Sequence, residues 1–154
     1  MIPQDVQNWK NKTLSKLKQI EQAITPQQFK KLDLDVIVRI ITKVTPLIKN
    51  NSDFDHFKNQ VEFSINFISK ENISKKSLKP YRNSLKPIKK WIKEKYQLLP
   101  LGFYTLRGLL LGIGVAILYA VGFDTRAGLF IGVAIGFGIG SYLDKKAEKQ
   151  NKVY

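Results

Sequence analysis

The chain contains no cysteine. Disulfide staples, thiolate metal ligands and cysteine nucleophiles are therefore excluded. Histidine occurs once, as His56 between Asp53, Asp55 and a run of polar residues. One histidine beside two carboxylates falls short of a metal-ligand set. Acidic residues are scarce, 12 against 26 basic ones, which gives the 154 residues a formal charge of +14. Among the basic residues arginine is rare: Arg39, Arg82, Arg107 and Arg126 stand beside 22 lysines. Arginine makes the bidentate contacts that read bases and phosphates, whereas lysine supplies diffuse charge, so specific nucleic-acid binding is not expected. Asp33 and Asp35 would face different sides of a helix, and no Ser/His/Asp set has a usable spacing. No glycine loop is followed by the lysine of a phosphate cradle. The sequence thus predicts a protein that is not an enzyme, with no cofactor, no metal and no small-molecule substrate.

Glycine is missing before Gly102, and all ten glycines lie between there and Gly140. Small residues in that stretch form two ladders with a four-residue step: Gly108, Gly112, Ala116, Ala120 and Gly128, Gly132, Gly136, Gly140. Folding back at Asp124 would oppose 108 with 140, 112 with 136, 116 with 132 and 120 with 128. Residues on one helix face recur at this spacing, so the ladders predict two helices whose backbones touch along a seam of small residues. Residues 108–123 and 127–143 carry no charge. A membrane crossing needs about 20 mostly apolar residues, and glycine costs a water-exposed helix about 0.8–1 kcal/mol relative to alanine. These two facts together predict a transmembrane hairpin, about 104–123 and 126–143, within 100–143. Arg107 would lie one turn inside the first crossing, at the depth of Asp144 on the second, as a candidate intramembrane ion pair.

The remaining charge is uneven. Residues 70–95 hold ten basic groups against Glu71 and Glu94. Lysines before the first crossing and in the tail 144–154 place both termini in the cytoplasm, by the positive-inside rule. The Lys-, Ile- and Asn-rich composition suggests a bacterial chain, and hence an inner-membrane location.

Residues 1–73 read as a small cytosolic helical bundle. Thr25, Pro26 and Gln28 look like the start of a short helix. Asp35 precedes the apolar face Val36, Ile37, Ile40, Ile41, Val44, which Pro46 ends. Ser52 and Asp55 would cap a helix carrying Phe54, Phe57, Val61, Ile65 and Ile68. Residues 74–99 form a basic amphipathic juxtamembrane segment, broken at Pro80 and Pro87. Its Lys86, Lys89, Lys90, Trp91, Lys93, Lys95 and Tyr96 are predicted to lie on an anionic inner leaflet. The fold expected is all-α. The function expected is a non-catalytic membrane anchor, adaptor or accessory subunit that binds another protein or itself. The alternative is an oligomeric pore-forming effector with a cytosolic sensing domain.

Overall fold

A computed structural model of the chain describes residues 3–70, 78–122 and 125–154. Among these residues the fold is all-helical, with seven α-helices and one isolated parallel bridge, Leu99 to Val153. Two compact units divide it, residues 1–97 and 98–154.

The first unit contains α1 (Gln4–Ala23), α2 (Pro26–Lys31), α3 (Leu34–Val44), α4 (Asn51–Lys70) and α5 (Leu78–Tyr96). Local chemistry sets most of their ends. Thr25 and Gln28 form a reciprocal capping box at α2, with Thr25 N–H donating to Gln28 Oε1 at 2.9 Å and Gln28 N–H to Thr25 Oγ1 at 3.3 Å. Pro46 cannot continue α3, which ends in a 3-10 turn over Thr45–Leu47. The cap of α4 lies two residues before the expected pair. Asn50 Oδ1 accepts the Asp53 N–H at 2.8 Å, and Asn50 Nδ2 donates to Asp53 Oδ2 at 2.9 Å. Helix α5 runs unbroken through Pro87, losing one backbone hydrogen bond there rather than dividing in two.

Apolar stripes then build the core. Ile37, Ile40, Ile41 and Val44 of α3 are buried, as are Phe57, Val61, Ile65 and Ile68 of α4. Tyr81, Leu85, Ile88 and Ile92 give α5 a continuous buried face, so this segment is part of the first unit. Tyr81 donates its hydroxyl to the Leu32 carbonyl at 2.7 Å, and burial followed by nearby Asp33 pushes its pKa well above the usual phenol range. In α1 the buried stripe is Val6, Trp9, Thr13 and Leu17, so a threonine takes a core position on this face.

The second unit pairs α6 (Phe103–Gly122) with α7 (Thr125–Lys149). Helix α7 continues six residues beyond the expected end at 143, and the chain after it folds back. Asn151 adopts a left-handed conformation (φ 54°), with Lys152 N–H bonded to Ala147 O and Asn151 N–H to Glu148 O, both at 2.9 Å. This is a Schellman stop with asparagine in the glycine position. The following residues pair in parallel with the segment before α6: Leu99 N–H to Lys152 O, Tyr154 N–H to Leu99 O and Leu101 N–H to Tyr154 O. Val153 and Tyr154 are buried, and burial pushes the Tyr154 phenol up to about 12.

Among the described residues no helix is long and apolar enough to cross a membrane. Within α7 the charge-free part lies between Arg126 and Asp144, residues 127–143. At 1.5 Å per residue that part spans about 26 Å, against about 30 Å of hydrocarbon. In α6, Arg107 interrupts the apolar run one turn after the helix begins at Phe103. This overturns the expected transmembrane hairpin and, with it, the inner-membrane location and the cytoplasmic placement of the termini. A pore-forming effector would need the same crossings. Asp124, Ala120, Gly128 and the expected turn lie outside the described residues or side chains.

Candidate interaction surfaces

Three regions carry the chemistry of this chain: the seam and outer faces of the hairpin, the capped end of α6, and the basic face of α5.

At the seam, glycine is required by contact. A Cβ on Gly108 would overlap the Gly136 carbonyl, and one on Gly136 would overlap that of Gly108. A Cβ on Gly112 would overlap the Gly132 carbonyl. On Gly132 it would lie 2.5 Å from Gly112 O and 2.9 Å from Ala116 Cβ. On Gly140 it would lie 2.5 Å from Tyr104 O and 2.6 Å from Thr105 Cα. Each rung therefore meets two positions on the facing helix. Gly108 lies between Gly136 and Gly140, and Gly112 between Gly132 and Gly136. The register is thus shifted by half a step from simple opposition about Asp124, which lets the backbones interlock. Gly114 and Gly138 face open space, where a Cβ would meet nothing within 4 Å.

Because the inside of the hairpin is glycine, its large side chains point outward. Leu111, Leu118 and Phe130 are 72%, 77% and 76% exposed, and Leu106, Leu110, Ile131 and Ile135 are also exposed. On one face Leu111 and Val115 of α6, with Ile135 and Ile139 of α7, border a shallow cavity of about 190 Å³ floored by the seam glycines.

At the end of the hairpin, Asp144 of α7 is buried and reaches the first turn of α6. Tyr104 N–H donates to Asp144 Oδ1 at 3.0 Å, and Thr105 N–H to Oδ2 at 2.7 Å. The Pro-Leu-Gly run before α6, with Gly102 at φ 77°, offers no side-chain cap of its own. The carboxylate from the partner helix takes that role, satisfying two orphan amides and lying at the positive end of the helix dipole. Burial raises its pKa, but hydrogen bonds from the Thr105 hydroxyl and from the Thr105 and Tyr104 amides outweigh this, and the net shift is downward. Arg107 is exposed, and its guanidinium lies over the Phe103 ring, 4.2 Å from the centroid. Asp144 is thus brought to the foot of α6 as a cap, with backbone amides as its partners.

The residues expected on a leaflet have a different setting. Trp91 lies 6.1 Å from Phe57 in a stacked arrangement and 5.3 Å edge-on from Tyr96. His56 packs on Trp91 at 5.2 Å, and Lys95 pairs with Asp53 while lying over the Trp91 ring. Burial, with Asp53 nearby, raises the Tyr96 pKa. The apolar side of α5 is therefore consumed by packing within the first unit. Its outward side presents exposed Lys86, Lys90 and Lys93, with Lys89 half-exposed, and Lys90 makes a loose ion pair with Glu94 at 3.8 Å.

Sequence periodicity could not find the Asp144 cap, because the partners are backbone amides 39 and 40 residues away. The absence of a Ser, Thr, Asn or Asp before Phe103 is the one signal that pointed to a missing cap. Among the described residues no three His, Asp or Glu side chains gather as a metal site. No family model, curated protein or solved structure matches this chain.

Proposed function

We propose that this chain is a non-catalytic assembly protein. In this reading the hairpin of the second unit self-associates and so clusters several copies of the helical first unit, which serves as an adaptor. The observation that carries it is the inversion of the hairpin, with glycines inside and leucine, isoleucine and phenylalanine outside. Contiguous exposed apolar surface of this kind marks an interaction site. A second copy is favoured as the occupant because one face holds complementary parts: a glycine-floored groove and the Leu111, Val115, Ile135 and Ile139 knobs beside it. A two-fold axis through such a face puts the knobs of each copy against the groove of the other.

Sedimentation of the full chain at micromolar concentration tests this. The expected result is a discrete oligomer that Leu111→Asp together with Ile135→Asp converts to monomer with unchanged helix content. A monomer before substitution, or recovery of the chain only with lipid vesicles, would overturn the proposal.

A further inference from the structure

The first unit holds a cleft that the assembly reading does not use. It has a volume of about 460 Å³ and lies between α1 and α4, within the range of about 300–1,000 Å³ usual for small-molecule sites. Lys12 and Lys16 line it from α1, one turn apart, and Lys58 lines it from α4. Trp9 and Thr13 are its buried floor, and Asn8 and Asn66 stand at its rim. Among the described residues neither Lys12 nor Lys58 has a carboxylate partner. Lys16 is oriented by an amide, donating to Asn66 Oδ1 at 3.0 Å. Three lysines lining one cavity carry like charges, which repel one another until an anion joins them.

Among the described residues the one acid in the wall is Glu62, and it too is positioned. Trp9 Nε1–H donates to Glu62 Oε1 at 2.9 Å, which leaves the second carboxylate oxygen able to accept from a ligand. The cleft therefore offers a cationic part for an anion and an acceptor for a hydroxyl. A phosphate monoester carries about −1.5 to −2 charge at neutral pH and accepts several hydrogen bonds, matching three lysines against one carboxylate. We infer that the α1–α4 cleft binds a small hydroxylated phosphate monoester, with Lys12, Lys16 and Lys58 on the phosphate and Glu62 on a hydroxyl.

Isothermal titration of the full chain with ribose 5-phosphate tests this, with ribose as the uncharged control. A chain of such high positive charge attracts any anion, so the decisive comparison is between equal charge changes at different places. Lys12→Gln and Lys58→Gln are each expected to weaken saturable binding by about tenfold or more, while Lys86→Gln and Lys90→Gln on α5 leave it within about twofold. Ribose is expected not to bind. Equal loss in all four variants would mean general charge attraction and would overturn the assignment. So would the absence of saturable binding up to about 10 mM, weaker than any affinity a built site would give.

Discussion

At the residue scale, the glycines of the hairpin divide into two kinds that look identical in the sequence. Gly136 lies on the seam against Gly108 and Gly112, where a methyl group must displace backbone. Gly138, two positions on, faces open space. Alanine should therefore have opposite effects at the two sites. Gly136→Ala is expected to destabilise the hairpin by about 1–3 kcal/mol, the usual cost of overpacking a rigid contact. Gly138→Ala should stabilise it by about 0.4–1 kcal/mol, because it reduces the freedom of the unfolded chain without a native clash. Amide hydrogen exchange in α6 reads both. Equal effects at the two positions would remove the seam from the account.

At the element scale, α6 depends on a cap that another helix supplies. The Asp144 carboxyl has a lowered folded-state pKa, so it binds protons less readily in the folded than in the unfolded chain. Its stabilisation is present above the unfolded carboxyl value of about 3.9 and is lost as pH falls through the lower folded value. Asp144→Asn keeps one acceptor but loses the charge and the second acceptor, and should cost about 1–3 kcal/mol at pH 7. The difference between Asp144→Asn and the parent in urea unfolding should shrink as the pH drops below about 4. A difference that persists unchanged at low pH would show that the carboxylate charge contributes nothing. This cap also marks where the sequence stops being readable. The stripes of α3, α4 and α5 are legible because core burial imposes a helical period on their own residues. The four-residue ladders are legible for the same reason. The capping of α6 by Asp144 and the pairing of Val153 beside Leu99 are long-range hydrogen-bond events, and they leave no period behind. The uncharged runs were misleading in a third way. Glycine and leucine produce the same apolar signal whether the leucines face lipid or another protein, and no described helix is both long and apolar enough to cross a membrane.

At the scale of the whole molecule, two compact units with separate cores should respond differently to dilution. Both tryptophans, Trp9 and Trp91, lie in the first unit, where they pack around Phe57. Tryptophan fluorescence therefore follows the first unit, while far-ultraviolet circular dichroism also includes α6 and α7. If the hairpin is held in an assembly of copies, its unfolding midpoint must rise with protein concentration, since association stabilises only the folded form. A hundredfold increase in concentration at a dimer interface adds about 2.7 kcal/mol of apparent stability, from the logarithm of the concentration ratio. The first unit, with its apolar faces buried among α1 to α5, should show no such dependence. The expected result is thus a fluorescence transition fixed in position and a later or earlier dichroism component that moves with concentration. Gly136→Ala should shift only the moving component, because the seam lies wholly within the second unit. Two transitions that stay fixed over that range of concentration would mean that nothing covers the hairpin's leucines in the folded state, and the assembly reading would fail with them.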